Sequence, residues 1–138
     1  MTSSNHKTVL MADDDPEDCM LASHSFAESG AKAAFSWVLD GVELMDYLSE
    51  HSRSEGKQLP DLILLDLNMP RKDGRKALIQ IKSEPALRHI PIVILTTSEK
   101  QEDEDFTMKA GAESFITKPA TFDKWVEIMK FLARSWLR

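Results

Sequence analysis

The stretch Leu62-Ile63-Leu64-Leu65-Asp66-Leu67-Asn68-Met69-Pro70 decides how the chain is read. Four apolar residues lead straight into an acid, and Pro60 and Pro70 bound the run. An unbroken apolar run of this length suits a strand covered on both faces of a sheet. Asp66 then stands at the strand's carboxyl end, where open α/β sheets build their ligand sites. A carboxylate in that place is costly unless something partners it.

Outward from this stretch, four further runs read as strands. Thr8–Ala12 ends in Asp13-Asp14-Asp15-Pro16, and Ala34–Leu39 ends in Asp40-Gly41. Pro91–Leu95 ends in Thr96-Thr97-Ser98, and Glu113–Thr117 ends in Lys118-Pro119. Helical patterns fill the gaps. Asp15 caps the first, with Pro16 in its first position and Gly30 as its stop. Leu44, Met45, Tyr47 and Leu48 share a face of the second, and Glu50–Leu59 is a solvated loop or an extension of it. Ala77, Leu78 and Ile81 mark the third. The fourth, Glu99–Ala110, is strongly acidic with only Phe106 and Met108 as relief, which predicts a thinly packed, mobile element. The fifth is capped by Thr121 and sets Phe122, Trp125, Val126, Met129, Leu132, Ala133 and Trp136 on one stripe. Five strands alternating with five helices predict an α/β fold, a three-layer parallel sheet with helices on both faces.

The bulk composition agrees. The 138 residues suit one domain over 1–138, with a flexible polar tail at 1–6 and no effector domain. A net charge of −6 argues against a nucleic-acid partner. Cys19 is the only cysteine, so no intrachain disulfide is possible and a reducing compartment is expected. No apolar run is long enough for a membrane span, and the expected location is cytoplasmic.

In a parallel sheet the strand ends share one edge, so Asp13, Asp14, Asp66, Thr96 and Lys118 gather there. Three carboxylates together repel one another unless a cation intervenes. All-oxygen ligands point to Mg²⁺ rather than Zn²⁺; His6, His24, His51 and His89 have no metal-ligand spacing. Mg²⁺ completes its shell with phosphate oxygens, and an aspartate can itself accept a phosphoryl group. These residues suggest a phosphoaspartate site on Asp66.

The ordered set of Asp13-Asp14, Asp66-Leu-Asn68-Met-Pro70 with Gly74, Thr96 and Lys118-Pro119 resembles the receiver domain of bacterial response regulators. Intervals of 30 residues from Asp66 to Thr96 and 22 from Thr96 to Lys118 are similar to those of CheY-type receivers. The resemblance implies a flavodoxin-like (βα)5 fold with strand order 2-1-3-4-5. It implies that Asp66 is the phosphoacceptor, and that Asp14, Asp66 and the Asn68 backbone carbonyl ligate Mg²⁺, with Asp13 acting through water. Lys118 and Thr96 would bind the phosphoryl group, Thr96 and Phe115 would form the switch, and the bond before Pro119 would be cis. Asn68 and Ser98 occupy positions that tune the phosphoryl lifetime.

Segments such as Ala-Asp-Asp-Asp-Pro-Glu-Asp and Leu-Arg-His-Ile-Pro-Ile-Val-Ile-Leu-Thr-Thr-Ser are similar to single-domain regulators that partner phytochromes. The implied partners are a histidine kinase, of phytochrome type by this similarity, and a downstream phosphotransfer or effector protein. A homodimer through helix four, strand five and helix five is a further expectation, with Trp125 and Trp136 as its interface. The chain is expected not to be an enzyme beyond its own phosphorylation and dephosphorylation. Two alternatives compete: an unphosphorylated pseudo-receiver, and a haloacid-dehalogenase-type phosphatase. The latter needs a second acid two residues after the nucleophile, where this chain has Asn68.

Overall fold

The apolar runs form five parallel strands: β1 (Lys7–Ala12), β2 (Ala33–Val38), β3 (Leu62–Leu65), β4 (Ile92–Thr96) and β5 (Ser114–Thr117). Their order in the sheet is β2-β1-β3-β4-β5, as expected. Five helices alternate with them: α1 (Pro16–Glu28), α2 (Gly41–Arg53), α3 (Gly74–Ser83), α4 (Gln101–Lys109) and α5 (Phe122–Trp136). This computed structural model describes residues 6–138. The tail expected over 1–6 therefore lies outside the described residues except for His6, whose carbonyl accepts from Gln58 Nε2 at 2.9 Å.

Side chains of the central strands alternate between two cores. Ile63 and Leu65 of β3 pack with Leu44 and Leu48 of α2 and with Ala77, Leu78 and Ile81 of α3. Leu62 and Leu64 point the other way, toward Ala22 and Phe26 of α1 and Trp125, Met129 and Leu132 of α5. All four β3 side chains are essentially solvent-free, the two-faced burial that their continuous apolar run calls for. Each contributes about 1.5–3 kcal/mol relative to an exposed position, as an upper estimate.

The loops at the carboxyl edge are fixed by caps. Asp15, Asp40, Asp73 and Thr121 each accept a backbone N–H from the first turn of the following helix, at 3.0, 2.8, 2.8 and 3.2 Å. Gly74 opens α3 against the β3 strand end. A methyl group there would strike the Asp66 carbonyl and sit 2.8 Å from Leu67 Cα, while Gly74 N–H donates to Leu67 O at 2.9 Å. Arg71 in the same loop has a φ of 66°, a conformation that costs a side-chain-bearing residue about 1–2 kcal/mol. Its guanidinium reaches Asp40 at 3.1 Å.

Two expectations need correction. Trp125 is only 2% exposed and belongs to the core beneath α1 and α5, so it offers nothing to a partner. Trp136 is half-buried against the same core. The aromatics that α5 does expose are Phe122 and Phe131, which at nine residues apart fall on opposite sides of the helix, away from its buried stripe. In α4 the expected apolar residues Phe106 and Met108 point outward, and the buried positions are Asp103 and Thr107. The inner side of α4 is polar, yet its groups are satisfied. Asp103 accepts from Arg75 Nε and Nη2 at 3.1 and 2.9 Å and from Ser98 Oγ at 2.6 Å. Thr107 Oγ1 donates to Asp103 O at 2.8 Å.

Candidate functional site

Strand register brings the chemistry together. Ala12 pairs with Leu65, so one step further sets Asp13 beside Asp66. Thr96 pairs with Thr117 across β4 and β5, which puts Lys118 just past that pair. Lys118 N–H donates to Thr96 O at 2.7 Å, tying the two strand ends.

Lys118 Nζ is the centre of the cluster. It lies 3.2 Å from Asp66 Oδ2 and 2.6 Å from Asp13 Oδ2. A third carboxylate, Asp18 Oδ2 from the first turn of α1, approaches to 2.7 Å. The lysine side chain is 7% exposed, so burial works against its charge; the Asp13 and Asp18 carboxylates and the field of Asp66 overcome this and hold its pKa above the ordinary lysine value. Desolvation dominates at Asp13 and pushes it up to about 6, although Lys118 and the Asp15 N–H pull it down. Asp66 Oδ1 accepts from Leu67 N–H at 2.7 Å, which fixes the rotamer of the carboxylate.

Asp13, Asp14 and Asp66 each place a carboxylate oxygen within 4.8 Å of the others. Asp14 is exposed and the other two are buried, so the group opens to solvent on one side. Asp13 Oδ2 meets the Lys118 ammonium without the alignment of a hydrogen bond and has no other partner among the described residues. A buried carboxylate oxygen with an unused acceptor direction, beside two more carboxylates, fits a hard divalent cation.

Thr96 is fully buried, and its hydroxyl accepts from Ser98 N–H at 3.4 Å. Asn68 is exposed and lines, with Ser98, Arg75 and Asp103, a shallow pocket beside the strand ends. Phe115, on β5, is half-buried against the α2–α3 side of the core. Trp125, in the first turn of α5, is buried in the core, and Trp136 closes that helix; neither belongs to the acid cluster. Sequence reasoning missed Asp18, one of two acids in the first turn of α1, where an acid is favoured by the helix dipole whether or not it has a partner. It missed Asp103 for a similar reason, since one acid in an acidic helix carries no signal of burial.

Comparison with known proteins fits this geometry. The response regulator receiver domain model matches residues 9–130. Among curated relatives, the probable methanogenesis regulatory protein FilR2 of Methanothrix harundinacea is 33% identical over 94% of this chain and 83% of its own length. The response regulator Rcp1 of Synechocystis sp. is 31% identical over 98% of this chain and 92% of its own. The structure of Rcp1 in its Mn²⁺-bound form superposes with a TM-score of 0.84 over 96% of this chain and 95% of that one. The phosphorylated cyanobacterial phytochrome response regulator RcpA superposes with a TM-score of 0.86 at 37% identity, covering 96% of this chain and 94% of its own.

Proposed function

The chain belongs to the response regulator receiver domain family, and from that premise we propose that Asp66 accepts a phosphoryl group from the phosphohistidine of a histidine kinase. The observation that carries this reading is one buried lysine held 3.2 Å from Asp66 at the mouth of a three-carboxylate cluster. An Asp66 carboxylate oxygen attacks phosphorus in line. The P–N bond to imidazole breaks, its electron pair stays on the leaving nitrogen, and an acyl phosphate forms. Asp14, Asp66 and the Asn68 carbonyl would hold Mg²⁺, with Asp13 acting through water, and the ion would supply charge neutralisation for the phosphoryl group. Lys118 holds the acceptor carboxylate before transfer and a phosphoryl oxygen after it.

Thr96 exchanges its weak contact with Ser98 N–H for the phosphoryl oxygen, and Phe115 follows into the space beneath. This biases the chain toward a second conformation by contacts that exist only with the phosphoryl group. Asn68 and Ser98, on the shallow pocket beside the acceptor, govern water's access and so the lifetime. The protein turns over no other substrate. Similarity to the phytochrome response regulator RcpA supports a phytochrome-type kinase as donor. Output goes to a separate phosphotransfer or effector protein, or to a second copy, through the face of α4, β5 and α5, where Phe131 is 45% exposed beside Ile116 and Ile128. Among the described residues no helix is long and apolar enough to cross a membrane; a cytoplasmic place of action follows from the kinase donor proposed here.

Asn68 in place of a second acid speaks against a phosphatase. Retention of every acid and of Lys118 speaks against a pseudo-receiver. The test is labelling by acetyl phosphate with Mg²⁺: wild type takes the label, Asp66→Asn does not, and EDTA abolishes it. Label retained in Asp66→Asn overturns the assignment.

A further inference from the structure

Lys118 has a partner for which the phosphoryl chemistry has no use. Asp18 Oδ2 accepts from Lys118 Nζ at 2.7 Å, closer than Asp66 at 3.2 Å. Asp18 is held by a rigid start to α1, with Asp15 as cap and Pro16 in the first turn, and by the burial of Cys19, Ala22 and Phe26 further along. It is not one of the three acids whose oxygens cluster for a cation.

We propose that Asp18 is a positioning residue for the acceptor site: a fixed counter-charge that holds the Lys118 ammonium toward α1 and limits how much of it reaches Asp66 and the phosphoryl group. The inference rests on the acceptor reading above. An ammonium has three donors; Lys118 gives one to Asp18 and one to Asp66, and Asp13 shares its charge by ionic contact at 2.6 Å. A cation among Asp13, Asp14 and Asp66, with Asp13 reached through water, would take over the neutralisation of two of the lysine's three carboxylates. Asp18, outside that cluster, stays on the lysine. It is then the one carboxylate competing with phosphoryl oxygens for the same donors, and its negative charge opposes theirs.

Removing that charge has two effects of opposite sign. In metal-free Asp18→Asn, Lys118 turns more fully onto Asp13 and Asp66 and competes harder with an incoming cation. With Mg²⁺ bound, the same lysine is more available to a phosphoryl group. Titration calorimetry on the full chain should show Mg²⁺ affinity lowered roughly 3- to 10-fold, and beryllofluoride affinity at saturating Mg²⁺ raised by roughly the same factor. The phosphoryl lifetime on Asp66 should lengthen in step. A merely structural role weakens both affinities or neither. Asp18→Ser removes the same charge with a smaller side chain and serves if the asparagine variant does not fold. Affinities that move together, or do not move, overturn the role of Asp18 while leaving the acceptor intact. Wild type that binds no beryllofluoride and takes no label overturns the acceptor reading itself.

Discussion

Lys118 Nζ lies 2.6 Å from Asp13 Oδ2, with the aspartate side chain wholly buried and the lysine nearly so. A pair this deep gains Coulomb energy but loses hydration, and the balance differs for its two members. The lysine keeps its charge more firmly than a free one, whereas the aspartate gives up part of its acidity.

That asymmetry makes stability depend on pH. Asp13 titrates at about 6 in the folded metal-free protein against an ordinary value of 3.8. Between those values the native state binds more protons than the unfolded chain, so stability falls as pH rises through the window. Asp13→Asn carries no charge at any pH. Urea unfolding should show it more stable than wild type by about 1–3 kcal/mol at pH 7, with the difference vanishing below pH ~4. A constant difference across that range contradicts the assignment.

Removing the cation has the reverse effect. Lys118→Met leaves Asp13, Asp18 and Asp66 without their common counter-charge and should cost the metal-free protein about 3–5 kcal/mol. Because a divalent ion relieves the same repulsion, added Mg²⁺ should raise the melting temperature of this variant more than that of wild type. Scanning fluorimetry with and without the ion reads this directly.

Gly74 is required by contact. A methyl group at this position meets the Asp66 carbonyl and Leu67 backbone, neither of which yields without moving the acceptor. Gly74→Ala should lose about 1–3 kcal/mol in urea unfolding. Labelling of Asp66 should slow at conditions where the variant is still fully folded. Wild-type labelling would mean that the loop has room to adjust.

Cys19 offers a clock for opening. Its side chain is fully buried on α1 and its Sγ donates to Asp13 O at 3.6 Å. Burial, with the Asp13 charge beside it, pushes the thiol up to about 12. Since only the thiolate reacts, alkylation of native protein at pH 8 should be negligible and should follow the unfolding equilibrium as urea is added. Rapid labelling without denaturant would show that α1 opens separately from the rest.

The sheet was legible because a strand buried on both faces must be apolar along its length, and β3 and β4 as far as Leu95 are. The acceptor edge was legible because strand ends of a parallel sheet share one side, so order alone places Asp13, Asp66, Thr96 and Lys118 together. What stayed hidden depends on rotation about a helix axis. Asp18 and Asp103 sit among other acids, and nothing local distinguishes the one that turns inward. Trp125 and Trp136 share a stripe, yet one is core and the other lies at its margin.

The inward face of α4 is bolted rather than oiled. One carboxylate, Asp103, receives Arg75 from α3 and Ser98 from the loop after β4, while Phe106 and Met108 already face water. Undocking this helix therefore uncovers little hydrocarbon, and water replaces the bonds that are broken. Its resting bias is a dial set by three side chains. A regulator of this kind can change how readily it responds by substitution at 75, 98 or 103 while the folded core remains untouched.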